Sequence, residues 1–278
     1  MNVWCPTDCE LGEGARWVDG RLIFVDILAG KLLAASIDRP GPAEELVRVD
    51  VPLGAVAPVE GRPGTWLAAA GQGFALLDQT TGHLEWIERP LPGTSRMNDG
   101  VCDPAGRFWA GGMAYDAAPG GGVLYRVDPD LTVTTVRTGM AIPNGPAFTA
   151  DGKTMYLADS AAGRIDRHEV DPVSGDLGEP EVFALIEDGS PDGMTVDEEG
   201  HLWVAIWGGS EVRRYAPDGR IDRVVSLPTP QPTSVCLADG RLFITSAAYG
   251  LTSGAPAGAV FAVDGVIPGR PATPFLLR

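Results

Sequence analysis

Short bursts of apolar and aromatic residues recur along the chain, each set off by a turn. Asp19-Gly20 precedes Arg21–Asp26, Arg62-Pro63-Gly64 precedes Thr65–Ala70, and Ala105-Gly106 precedes Arg107–Gly111. Asp151-Gly152 precedes Lys153–Asp159, Glu199-Gly200 precedes His201–Ile206, and Asp239-Gly240 precedes Arg241–Ser246. Each burst is five to seven residues long. Such short runs, rich in β-branched and aromatic residues and bounded by turn formers, predict strands. Between them lie further strand candidates that alternate apolar and polar residues, such as Gly73–Asp78, Gly122–Asp128 and Glu211–Ala216, which read as half-buried outer strands. No long stretch carries a helical period.

The spacing of the bursts decides the architecture. From Leu22 the steps to Leu67, Phe108, Met155, Leu202 and Leu242 run from 40 to 47 residues. Six units of several strands at that period predict an all-β, six-bladed β-propeller, because one blade cannot bury its faces without neighbours on both sides. Six units occupy the whole chain, so residues 1–278 read as a single propeller domain with no linker. The ring is expected to close by pairing Gly258–Val263 with Val3–Cys5.

Composition adds three constraints. The 37 glycines and 24 prolines are scattered rather than clustered, as many tight turns require. A formal net charge of −16 repels phosphate backbones and anionic lipid surfaces, which argues against nucleic-acid or membrane partners. The four cysteines, Cys5, Cys9, Cys102 and Cys236, lack zinc-ligand spacing and do not make a disulfide scaffold, so reduced thiols are expected, with a Cys5–Cys9 bridge left open. The first residues lack a charged segment followed by an apolar run, and no stretch reaches the length of a membrane span, so the expected location is cytoplasmic.

Just upstream of the bursts, polar residues recur at one phase. Glu13, Asn98 and Asp192 each stand ten residues before Ile23, Phe108 and Leu202, Asn144 stands twelve before Tyr156, and Thr233 ten before Phe243. In a radial repeat, equal phase means equivalent places around the axis. Glu13, Asn98, Asn144 and Asp192 are therefore expected to point into one end of the central channel. Two carboxylates and two amides are hard oxygen donors, suited to a divalent ion with open positions. Asp99, in Met97-Asn98-Asp99-Gly100, reads as a turn residue. His83, His168 and His201 show no ligand spacing, and neither a Gly-x-Ser-x-Gly elbow nor a phosphate-cradling loop is present.

Leu11-Gly12-Glu13-Gly14-Ala15-Arg16-Trp17, Arg96-Met97-Asn98-Asp99-Gly100, Ile142-Pro143-Asn144-Gly145, Pro191-Asp192-Gly193-Met194 and Gln231–Cys236 stand in the order of the gluconolactonase/regucalcin (senescence marker protein 30) family, which the chain closely resembles over nearly its whole length. The resemblance implies a six-bladed propeller holding one divalent metal, with Glu13, Asn144 and Asp192 as its ligands. Calcium is the foremost candidate, with zinc, manganese, magnesium or iron(II) as alternatives. It further implies that Arg96 and Asn98 bind the substrate, that Asp116 holds its hydroxyls, and that Asp192 is the base. Ala15 stands where the family usually has proline, and the stretch around Leu237–Gly240 is shorter than in many relatives.

The activity so implied is metal-dependent hydrolysis of a sugar lactone to the aldonic acid, the metal acting as Lewis acid. Trp203–Gly209 is similar to the bacterial sugar-lactonase branch, which favours a catabolic pentose or hexose lactone. Two alternatives remain at this point: ester or phosphotriester hydrolysis on the same scaffold, and a propeller that binds a divalent metal without turnover.

Overall fold

In the computed structural model, which describes residues 2–252 and 256–278, the chain forms 24 strands in six four-stranded antiparallel sheets. The first strand, β1 (Asn2–Cys5), is set aside for the last blade. Blade 1 holds β2 (Gly12–Val18), β3 (Arg21–Asp26), β4 (Lys31–Ser36) and β5 (Glu44–Arg48). Blade 2 holds β6 (Leu53–Pro58), β7 (Thr65–Ala70), β8 (Gly73–Asp78) and β9 (Leu84–Glu88). Blade 3 holds β10 (Ser95–Cys102), β11 (Phe108–Ala114), β12 (Gly122–Val127) and β13 (Val133–Met140). Blade 4 holds β14 (Pro143–Phe148), β15 (Thr154–Asp159), β16 (Arg164–Glu169) and β17 (Glu181–Leu185). Blade 5 holds β18 (Ser190–Val196), β19 (Leu202–Trp207), β20 (Glu211–Tyr215) and β21 (Ile221–Ser226). Blade 6 holds β22 (Pro232–Ala238), β23 (Arg241–Ser246) and β24 (Val260–Asp264), completed by β1, which pairs with β24 as the sequence predicts.

The six bursts are the second strands, and they are buried almost throughout because both faces meet neighbouring blades. The strands read as outer ones, β8, β12 and β20, are third in their blades and more buried than expected. A separate fourth strand, such as β5, β17 or β21, takes the solvent edge. Among the described residues no helix is long and apolar enough to cross a membrane.

The core is divided rather than central. Six apolar clusters form, one at each interface between adjacent blades. Between blades 2 and 3, Phe74 meets Phe108 and Tyr125 edge-to-face at centroid distances of 6.3 and 5.9 Å. In the cluster between blades 6 and 1, Trp4 and Phe243, both of blade 6, meet edge-to-face at 5.3 Å. Two blades share a polar latch. Asp103 accepts hydrogen bonds from the Ala105 and Arg107 amides, from Arg107 Nε at 2.6 Å and from the Trp109 indole at 2.9 Å. Asp197 does the same for the Glu199 and His201 amides, Trp203 and Arg214.

After β24 the chain crosses the face of the ring where the inner strands end. Glu198 N donates to Pro268 O, Ala272 N to Trp17 O, Phe275 N to Pro58 O, and Leu276 N to Gly106 O. Phe275 is fully buried in the cluster between blades 2 and 3. This strap therefore ties blades 5, 1, 2 and 3 together. Cys5, Cys9, Cys102 and Cys236 are free and buried, with no Cys5–Cys9 bridge. Burial pushes the Cys5 thiol up to about 11 and those of Cys9 and Cys236 up to about 12, which leaves them unreactive.

Candidate functional site

Six inner strands, β2, β6, β10, β14, β18 and β22, line the channel, and each carries a register irregularity one to three residues after its start or after its site residue. The bulge matters because it re-aims the side chain beside it. At Gly14 and Gly145, φ values of 61° and 49° put the residue after Glu13 and Asn144 in the left-handed region, where glycine is unstrained. Glu13, Asn98, Asn144 and Asp192 thus arrive at one end of the channel from β2, β10, β14 and β18, all four buried. They line a cavity of about 340 Å³, together with Arg96 from β10.

A tight hydrogen-bond network fixes them. Asn98 Oδ1 accepts from Arg96 Nη1 at 2.7 Å, and its Nδ2 donates to Pro143 O at 3.1 Å. Asn144 Nδ2 donates to Asp192 Oδ1 and, at 3.2 Å, to Ser160 Oγ, which in turn donates to Pro191 O at 2.6 Å. Glu13 Oε2 accepts from the Gly14 amide at 2.6 Å. Arg96 also donates from Nη1 to Met97 O, and among the described residues its hydrogen bonds all come from that nitrogen. The other guanidinium N–H groups remain available to the cavity.

The electrostatics are those of a crowded anionic centre. Burial, and then the charge of Asp99, push the Glu13 carboxyl up to about 8. Burial, and then the neighbouring Glu13, hold Asp192 well above the usual carboxylate range. Burial pulls the Arg96 guanidinium below its ordinary value. Among the described residues no group of three or more His, Cys, Asp or Glu side chains converges as a metal site. The set here is two carboxylates and an amide, with a second amide alongside.

Two expectations turn out differently in the geometry. Asp116 is not among the residues lining the cavity: its carboxylate accepts from the Ala118 amide in its own loop, and it is the preceding Tyr115 that forms the wall. Asp99 is no turn residue. It is fully buried within β10, its Oδ1 accepting from Arg16 Nη2 at 3.1 Å and from the Gly100 amide at 2.8 Å, and its Oδ2 has no hydrogen-bond partner among the described residues. Arg16 lines a second cavity, of about 250 Å³, at the opposite mouth. Thr233 shares the phase but spends its hydroxyl on Gly12 O and Thr245. In blade 2 the corresponding place on β6 is Gly54, where an added Cβ would lie 2.5 Å from Asn98 O. Ser160, Trp207 and Tyr249 also line the cavity, and the phase pattern could not find them because they end or follow second strands rather than lying on first ones.

The model of the SMP-30/gluconolactonase/LRE-like region matches residues 11–248. The chain is 37% identical to a protein named pentonolactonase XacC from Haloferax volcanii, over 95% of this chain and 94% of that one. It is 35% identical to one named L-arabinolactonase from Azospirillum brasilense, over 91% and 86%. Among solved structures it superposes on regucalcin from Agrobacterium tumefaciens, described as a calcium-binding protein, with a TM-score of 0.89 at 30% identity, covering 98% and 96% of the two chains.

Proposed function

Because the chain belongs to the SMP-30/gluconolactonase/LRE-like family, we propose that it is a divalent-metal-dependent lactonase that opens a sugar lactone, a pentonolactone foremost, to the hydroxy acid. The observation that carries this is the arrival of Glu13, Asn98, Asn144 and Asp192 at one channel end from four different blades. The names of the relatives, pentonolactonase and L-arabinolactonase, support the substrate class.

The residues present fit a divalent ion. Burial raises the proton affinity of both Glu13 and Asp192, and Glu13 raises that of Asp192 further, a pair of buried carboxylates that a cation would relieve. Glu13, Asn144 and Asp192 would hold it, and an all-oxygen set suits calcium. When bound, the ion would polarise the lactone carbonyl and hold the two carboxylates ionised.

The chain's own groups supply the rest. Arg96 directs its uncommitted N–H groups at substrate oxygens, and Asn98, locked between Arg96 and Pro143 O, holds that guanidinium in place. Asp192 takes a proton from water as the water oxygen bonds to the carbonyl carbon. The ring C–O bond then breaks, and the same proton passes to the departing ring oxygen, leaving a free hydroxyl and a carboxylic acid.

The test is acid release from a panel of aldonolactones after EDTA treatment and after adding back Ca²⁺, Mg²⁺, Mn²⁺, Zn²⁺ or Fe²⁺. Turnover restored by an ion in wild type and abolished in Asp192→Asn is expected. Wild-type-like rates in Asp192→Asn would remove it as the base. Folded, metal-binding protein without turnover on any lactone would overturn the lactonase reading.

A further inference from the structure

Among the described residues, the lining of the cavity divides into a charged and amide-bearing group and a larger carbon surface. Glu13, Arg96, Asn98, Asn144 and Asp192 form the first, and Leu11, Ile27, Leu28, Met113, Ile142 and the ring carbons of Trp207 supply the second. Among the described residues the other polar side-chain atoms of the lining belong to Ser160, Ser190, the Trp207 indole and the phenols of Tyr115 and Tyr249. Of these, Ser160 already donates to Pro191 O, and the two tyrosines are each 53% exposed, so water reaches the rim. The carboxylate nearest the wall in sequence, Asp116, is turned into its own loop.

This distribution separates two kinds of selectivity. A site that holds a substrate hydroxyl with buried polar groups rejects the analogue lacking it by roughly 10⁴–10⁵, because those groups are left unpaired, whereas an apolar wall discriminates by only about 10–200-fold. On the lactonase reading, the ester end of a lactone would meet Arg96, Asn98 and the carboxylates, which leaves the far end to the aliphatic and aromatic carbon of the lining. A sugar lactone's outer hydroxyls keep their water at the open rim, and an alkyl chain in the same place would exchange water for Ile142, Met113 and Trp207.

We propose that the same site hydrolyses small γ-lactones whose ring bears an alkyl chain in place of hydroxylated carbon. The step is the one described above: water oxygen bonds to the carbonyl carbon, the ring C–O bond breaks, and the proton held meanwhile by Asp192 ends on the released alcohol oxygen. No further reactant is required. The inference rests on the lactonase reading, and its test separates the two.

The probes are a pentono-1,4-lactone, γ-valerolactone, which is the same ring and carbon chain with every hydroxyl replaced by hydrogen, and γ-heptalactone. Each kcat/KM is divided by that lactone's own hydroxide-catalysed rate. We expect γ-valerolactone within about 200-fold of the pentonolactone. We expect γ-heptalactone to gain roughly fourfold per added buried methylene. Trp207→Ala, shown folded by its thermal transition, should lower γ-heptalactone turnover at least tenfold more than pentonolactone turnover. A loss of about 10⁴-fold or more on removing the hydroxyls, or no gain with chain length, overturns the inference while leaving the sugar-lactonase reading intact. No turnover of any of the three overturns both.

Discussion

Placing a methyl group on Gly54 is the sharpest test of how the channel holds its site. Gly54 occupies on β6 the place that Glu13 occupies on β2, and it is bare because β10 passes against it. A Cβ there would lie 2.5 Å from Asn98 O and 2.9 Å from both the carbonyl carbon and the oxygen of Met97. All three are backbone atoms of an inner strand, so no side-chain rotation relieves the clash. Restoring an ordinary carbon contact requires β10 to retreat by about 1 Å. Overpacking of this kind costs about 1–3 kcal/mol. At roughly 2–4 °C per kcal/mol for a chain of this size class, Gly54→Ala should melt about 2–12 °C below wild type. The displaced segment carries Arg96 and Asn98, and a shift near 1 Å in groups that position a substrate can cost about 10²-fold. Calorimetry and kcat/KM on a pentonolactone measure the two consequences. Gly93→Ala is the control, since nothing lies within 4 Å of its added Cβ, and it should change neither. A Gly54→Ala protein that melts with wild type and turns over at the wild-type rate would refute the claim that β6 and β10 are locked at the site.

Other expectations follow from the same contacts. Asp116→Ala should leave kcat and KM within about twofold, because its carboxylate serves its own loop; a tenfold rise in KM would return it to the substrate. Asp103→Ala strands the buried Arg107 guanidinium and the Trp109 indole, and should cost about 3–5 kcal/mol by denaturant unfolding. Phe275→Ala empties a fully buried position between blades 2 and 3, and should cost about 3–5 kcal/mol in the same assay while leaving kcat/KM near wild type, since the strap lies on the face away from the site.

Much of the fold was legible because a blade is a local unit. Each second strand is buried on both faces by its neighbours, so Leu22, Leu67, Phe108, Met155, Leu202 and Leu242 repeat at a readable interval. The site was legible for a related reason. Its four polar residues lie near the start of the inner strands of blades 1, 3, 4 and 5, and a ring turns equal phase into convergence. Neither a phase nor a family resemblance reports direction within a loop: the resemblance implied Asp116, and the cavity lining holds Tyr115, one residue away. Nor can a phase report a missing side chain: Gly54 looks like any other glycine until β10 is seen against it. Asp99 was hidden by composition, since Asn-Asp-Gly has the makeup of a turn, and only the pairing with Arg16 from another blade shows it buried in a strand. The strap after β24 has no period at all, because backbone hydrogen bonds to four blades hold it and its anchoring aromatic, Phe275, is single.

Blade 6 closes with strands from opposite ends of the residues described, and Thr7 Oγ1 donates to Gly258 O across 251 residues of sequence. During translation at about 5–20 residues per second, β1 waits roughly ten to fifty seconds for the strand it pairs with. Through that interval the growing arc of blades carries an open end, with the Trp4 ring and its partners in blade 1 still facing water or a chaperone. The same clasp that leaves the finished ring without a break makes the nascent chain's last step a long-range one, and it places the period of greatest aggregation risk on the ribosome rather than in the folded protein.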